Sequence, residues 1–312
     1  MAEIKRISAR HVYDIPEIYE VFYSRPLSYK LNEAIAFANI LNMTKPDTSS
    51  ILEVFSGKES VHRLFFEAAS LHTGLNRNYT YTCLDSSGVE GISDQVIGVN
   101  DIACADFGRT FDAILAYFYS INSVVNYSTG FVTRKHVVNS LRNVHKHLNA
   151  GGVFIVDSAL DGYRTSLEGV EDNFSKNETF QTKREVEHLS LLASKLRSLG
   201  FQVGPWDEVY VRAEFTSTYD RRSCNCVDTY TSIEVYLCGE PVLEYALQLP
   251  FCINYFSEPE IVGMLACAGF SQVDFWKCDY ESGQYEQLNP VVSLDKRATA
   301  SDRMTNVFVA TK

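Results

Sequence analysis

Between residues 50 and 157 short apolar runs alternate with segments of helical apolar spacing, and this alternation constrains the fold more than any other feature of the chain. The runs 51–55 (ILEVF), 79–84 (YTYTCL), 111–119 (FDAILAYFY) and 152–156 (GVFIV) read as buried strands, being short and rich in β-branched and aromatic residues. A shorter strand is expected over 96–99. Residues 61–71 (VHRLFFEAASL) and 132–148 read as amphipathic helices, the second stopped at Asn149-Ala150-Gly151-Gly152. Strands and helices in strict alternation predict a parallel sheet covered on both faces, hence an α/β, doubly wound, Rossmann-like core.

The flanks read differently. Residues 15–42 show helical spacing interrupted at Arg25-Pro26, which predicts two helices broken at the proline. Residues 178–199 read as a charged helix stopped by Gly200. Strands follow over 209–219, 229–237 and 242–249, with a turn at Gly239-Glu240-Pro241, so an antiparallel β-rich lobe is expected to be inserted into the core. A helix over 258–267, capped by Ser257 and ended at Gly269, and strands over 273–279 and 306–310 return to α/β character. The expected division is an N-terminal helical cover (1–45), an α/β core (46–160), the inserted lobe (161–255) and the completion of the core (256–312).

With 46% hydrophobic residues over 312 positions, the chain can bury a sizeable core, and general disorder is excluded. A net charge of −11 repels a phosphate backbone, which argues against a nucleic-acid partner. No run approaches the ~18 apolar residues needed to cross a bilayer, and the N-terminus lacks the apolar stretch of a secretion signal. A cytoplasmic location with no membrane partner is therefore expected, and the eight cysteines read as reduced thiols. Cys224-Asn225-Cys226 with Cys238 nearby lacks a CxxC pair or a well-spaced histidine, so no metal is expected.

In an open α/β sheet the ligand sits beyond the carboxyl ends of the strands, at the point where the strand order reverses. The first core strand and its loop, residues 51–60 (ILEVFSGKES), place Glu53 at the strand tip and Gly57 in the turn. Asp85 follows the next strand, where a carboxylate can accept both hydroxyls of a ribose. Asp101, or Asn100 beside it, falls in the next turn, within reach of an adenine amine. An acid after a strand is most often a helix cap. It is the sequential placement of these residues that describes a nucleoside site.

The segments ILEVFSGKES, FDAILAYFYSINSV and LRNVHKHLNAGGVFIVD resemble the class I S-adenosylmethionine-dependent methyltransferases. The likeness is greatest to their small-molecule, amino-sugar type N-methyltransferase branch, with SEPEIVGMLACAGFSQVDFW similar to its C-terminal helix, turn and strand and IYEVFYSRPLSY to its tyrosine-rich entry helix. The resemblance implies S-adenosylmethionine as cofactor and methyl transfer to a small-molecule acceptor, an amine nitrogen favoured over oxygen. It also implies that Glu53 and Gly57 contact the methionine portion, Asp85 with Ser86 the ribose, and Asp101 with Ile102 the adenine. Tyr117 and residues 120–122, Asn122 among them, would line the floor beneath the methyl, with Tyr19 and Tyr23 closing the site from above. The inserted lobe would form an acceptor cover or the surface of a homodimer.

Two departures stand out. Where the family's loop has further glycines this chain has Phe55 and Glu59. A methyltransferase fold that has lost methyl transfer, and methylation of RNA or protein, remain as alternatives. A general base is indicated by region only, among His11, His136, His145, His147 and Asp157, and a plain surface or packing role is the expected one for His145 and His147.

Overall fold

The computed structural model describes residues 4–23, 27–56, 61–75, 78–85, 96–98, 101–117, 120–124, 129–158, 173–183, 190–204, 207–220, 225–288 and 305–312. In chain order the elements are β1 (Lys5–Ala9), α1 (Pro16–Tyr23), α2 (Leu27–Thr44), β2 (Ser50–Val54), α3 (Val61–Thr73), β3 (Thr80–Asp85), β4 (Val96–Gly98), β5 (Phe111–Ala116), α4 (Arg134–Lys146) and β6 (Leu148–Ser158). There follow β7 (Asn173–Lys183), α5 (Ser190–Ser198), β8 (Val209–Asp220), β9 (Asn225–Leu237), β10 (Glu240–Leu247), β11 (Phe251–Asn254), α6 (Glu258–Ala268), β12 (Gln272–Asp279), β13 (Gln284–Leu288) and β14 (Thr305–Thr311). The chain divides into two compact units. One comprises Met1–Ser24, Ser128–Phe131 and Val170–Ile253; the other comprises Arg25–Tyr127, Val132–Gly169 and Asn254–Lys312.

The second unit is the α/β core. Its sheet runs β13-β12-β14-β6-β5-β2-β3-β4. From β4 to β6 all pairs are parallel, while β14 lies antiparallel between β6 and β12. The chain therefore leaves β2 outward through β3 and β4, then returns to β5 on the other side of β2, which creates the expected reversal of strand order. Ile51, Leu52 and Val54 are fully buried, as a strand covered on both faces requires. At the amino ends Asp112 clamps three strands: its Oδ2 accepts from the Ser49 and Ser50 amides at 2.9 and 3.1 Å, and its Oδ1 accepts from Asn149 Nδ2 at 2.8 Å.

The first unit carries an antiparallel sheet, β10-β9-β8-β7, with β1 added in parallel beside β10 and β11 paired to β9. Ile15, Ile18 and Val21 of the α1 region and Leu192 and Leu196 of α5 pack on its buried face with Val211, Ile233, Val235 and Leu243. β9 and β10 join through Cys238 and Gly239, at φ 50° and 85°. Two consecutive positive angles are what a tight hairpin demands of its central pair. The turn thus falls one residue before the expected Gly239-Glu240-Pro241, because Glu240 already pairs with Leu237.

Three expectations need correction. The helix foreseen over 178–199 does not run throughout: its first part belongs to β7, paired along its whole length with β8, and among the described residues its helical part is Ser190–Ser198. Pairing with β8 along the whole of β7 outweighs local spacing. The segment 149–152 does not end a helix in a loop. It opens β6 as a bulge, since Leu148 pairs with Phe111 and the next pair is Val153 with Ala113. Residues 1–45 do not form one helical cover, because β1 and α1 group with the antiparallel sheet whereas α2 packs in the core unit. β11 and β13 add strands that the apolar pattern does not announce.

Candidate functional site

The carboxyl ends of β2, β3 and β5 bring the sequence-selected acids to one edge of the core sheet. Val54 lies level with Leu84 and with Ala116, so Phe55, Asp85 and Tyr117 occupy adjacent strand tips. The Ser56 amide donates to the Leu84 carbonyl at 3.2 Å and ties the first two tips together. The backbone of Asp85 ends β3; its side chain, like Gly57 and Ser86, lies outside the described residues.

Glu53 is 1% exposed and does not face open space. Its Oε2 accepts from Tyr81 Oη at 2.9 Å, and its Oε1 is 3.8 Å from His62 Nδ1. The other ring nitrogen of His62, Nε2, lies 2.8 Å from Oε2 of Glu33, a second fully buried carboxylate carried by α2. The imidazole stacks on Tyr117 at 4.5 Å and 5° between planes, and Tyr117 stacks in turn on Phe37 at 4.3 Å. Burial, reinforced by the charge of Glu53, pushes the phenols of Tyr81 and Tyr117 well above their usual range. Both phenols therefore stay neutral near neutral pH.

A second cluster forms past β4. Asp101 Oδ1 accepts from the Ala103 amide at 2.9 Å and faces His136 Nε2 of α4 at 3.4 Å. Asn143, one turn from the end of α4, donates to the carbonyls of Ile102 and Ala105, both at 2.8 Å, which fixes the loop carrying Ile102. Between this loop and the strand tips lies an apolar cleft lined by Phe55, Ile102, Ile121, Val137, Leu141 and Val144.

Other sequence-selected residues have structural partners. Asn122 is buried, donating Nδ2 to the Asn254 carbonyl at 2.8 Å and accepting from Ser158 Oγ at 3.1 Å. The Ser120 hydroxyl donates to the Tyr117 carbonyl. His147 packs against Phe107, and its Nδ1 lies 2.9 Å from the Asn143 carbonyl; His145 stands edge-on to Phe270. Tyr19 is half-buried on α1 in the other unit, together with His11, whose pKa burial lowers to about 4. The backbone of Tyr23 ends α1, but its side chain lies outside the described residues.

His62, Glu33 and Tyr81 are the site residues that pattern reading misses. The available signal is a charged residue on an otherwise apolar helix stretch, Glu33 beside Ala34, Ala36 and Phe37. Among the described residues no group of three His, Cys, Asp or Glu could hold a metal ion, and no helix is long and apolar enough to cross a membrane.

No protein-family model matches the chain, and no curated protein matches it in sequence. Among solved structures it is similar to the amino pentose methyltransferase CalS10 from Micromonospora echinaspora, solved with S-adenosylmethionine bound, at 16% identity over 97% of both chains with a TM-score of 0.49. It is also similar to the sugar N-methyltransferase KedS8 from a Streptoalloteichus species, at 14% identity over 100% of this chain and 97% of that one, with a TM-score of 0.49. A third is an S-adenosylmethionine-dependent methyltransferase from Clostridium acetobutylicum, at 14% identity over 96% and 99% of the two chains, with a TM-score of 0.46.

Proposed function

We propose that this chain is an enzyme that transfers a methyl group from S-adenosylmethionine to a small-molecule acceptor, an amine nitrogen, by in-line displacement. The observation that carries the reading is the set of adjacent strand tips at the order reversal, Phe55, Asp85 and Tyr117, opening beside an apolar cleft and the Asp101–Ile102 loop. The chemistry of the residues suits the group: apolar side chains line the cleft, and the residue at the tip of β3 is an aspartate, a carboxylate suited to a ribose diol. When bound, the cofactor supplies a methyl group already activated on a sulfonium, so the protein's main task is to hold the acceptor in place.

Asp85 with Ser86 holds the ribose, Ile102 flanks the base and Asp101 meets its amine. Glu53 acts through others: engaged by Tyr81 and His62, it fixes the position of the Tyr117 ring. That ring and its aromatic neighbours present faces that stabilise cationic character, a property suited to a sulfonium and to an ammonium product. Asn122 orders the floor through Ser158 and Asn254.

Calorimetric titration with S-adenosylmethionine and S-adenosylhomocysteine tests this directly. Micromolar binding of both is expected, weakened at least about tenfold in Asp85→Ala, as loss of a charged hydrogen-bond acceptor predicts. Absence of binding at millimolar ligand would sink the reading.

A further inference from the structure

Glu33 of α2 and Glu53 of β2 are both fully buried in the core unit. Taking two carboxylates out of water is expensive, and apolar side chains of similar volume in place of a buried ion pair are often neutral or stabilising. Glu33 stands beside Ala34, Ala36, Phe37 and Ala38, all buried, so an apolar side chain would suit this part of α2. Stability alone therefore does not explain the acids. A demand on geometry does.

That geometry centres on His62, in the first turn of α3. Its Nε2 lies 2.8 Å from Glu33 Oε2, and its Nδ1 lies 3.8 Å from Glu53 Oε1. Glu53 is held in turn from β3, where Tyr81 Oη donates to its Oε2 at 2.9 Å and the Cys83 thiol at 3.8 Å. The imidazole is parallel to within 5° with the ring of Tyr117, the residue that follows β5. One side chain of α3 thus meets α2, β2 and the end of β5.

The placement along the helices is telling. At their carboxyl ends α2 and α3 are joined by a neutral bond, from Asn42 Nδ2 to the Thr73 carbonyl at 2.7 Å. The bridge with the acids stands at the other end, level with the strand tips: Glu53 pairs with Cys83 and with Leu115, one residue short of the last pair in each ladder. Hydrogen bonds fix distance and direction, whereas apolar contacts are non-directional and permit sliding.

We propose that His62 and Glu33 are positioning residues for the transfer site: the bridge Glu33–His62–Glu53 sets the first turn of α3 against the ends of β2 and β5 and so holds the strand tips in their binding geometry. This rests on the cofactor reading above and adds to it two residues that act without touching a ligand.

The test measures stability by urea denaturation and affinity for S-adenosylhomocysteine by calorimetry, both on the full chain. Glu33→Met/His62→Phe replaces the 2.8 Å contact by apolar side chains of similar size, keeps an aromatic ring against Tyr117 and leaves Glu53 its bond from Tyr81. The double variant is expected to fold with a urea midpoint close to that of wild type. It should nevertheless bind S-adenosylhomocysteine about tenfold more weakly, the equivalent of one charge-assisted hydrogen bond. His62→Gln puts an amide where Nε2 stands and should stay within about threefold of wild type, whereas the shorter amide of His62→Asn reaches only the Nδ1 position and should weaken binding as the double variant does. The comparison of Gln with Asn decides the matter at one position if the double variant does not fold.

Wild-type affinity in the folded double variant would overturn the proposal, since the bridge would then serve stability alone. Equal affinities for His62→Gln and His62→Asn would overturn it too. The cofactor reading stands apart from either result, being decided by wild-type binding and by Asp85→Ala. A wild-type chain that does not bind S-adenosylhomocysteine overturns both.

Discussion

At the scale of single residues the strongest device outside the strand tips is Asp112. Burial opposes its charge, but hydrogen bonds from Ser49, Asn149 and Ser50 together outweigh burial and hold its pKa at about 2, below the usual 3.8. The folded state thus binds this proton less readily than the unfolded chain does. Its stabilisation is fully present above about pH 4 and is lost as pH falls through about 2. Asp112→Asn should cost about 1 kcal/mol near neutral pH, a figure kept small because the clamp is partly exposed to water. Urea denaturation at a series of pH values checks this. The gap between wild type and variant should close between about pH 4 and pH 2, and a gap independent of pH would show that charge is not the source.

At the scale of elements, punctuation decides where helices end. α6 begins after Ser257, whose amide donates to Glu260 at 2.8 Å, while Arg134 of α4 donates to the same carboxylate. It ends at Gly269 with φ 110°. A β-carbon there would lie 3.3 Å from the His145 ring, so strain and crowding act together. Gly269→Ala should destabilise the fold by about 1–2 kcal/mol, read as a lower urea midpoint at unchanged slope. Elements with this kind of local marking are legible in the sequence to within a few residues: β2, α3, β3 and α6 all fall where spacing and caps place them. β7 is not legible, since its mixed polar pattern suits more than one period and its pairing with β8 settles the matter. β1 is hidden for a related reason: a mostly exposed edge strand needs only backbone partners, which β10 supplies.

At the scale of the molecule each unit buries a hydrophobic cluster of its own among the described residues. Ile155 is fully buried on β6 in the core that also holds Ile51, Leu115 and Val309. Ile155→Ala should remove about 2–5 kcal/mol by transfer and cavity terms. In native-state hydrogen exchange the lost protection should concentrate in β2, β5, β6 and β14, with β8, β9 and β10 largely retaining theirs. A uniform loss across both sheets would mean that the units unfold as one.

Much of this architecture is determined by the sequence alone. Short apolar runs alternating with amphipathic helices leave a parallel sheet as the way to bury every strand, and an acid after a strand marks its tip whatever surrounds it. The order reversal at β2 and the placement of Asp85, Asp101 and Ile102 around it follow from that pattern. Only the tertiary structure decides what the side chains at the tips meet. Glu53 is legible as a strand-tip acid, but its engagement by Tyr81 and His62, and the link through His62 to Glu33, join residues from β2, β3, α2 and α3. No periodicity encodes a contact between four separate elements.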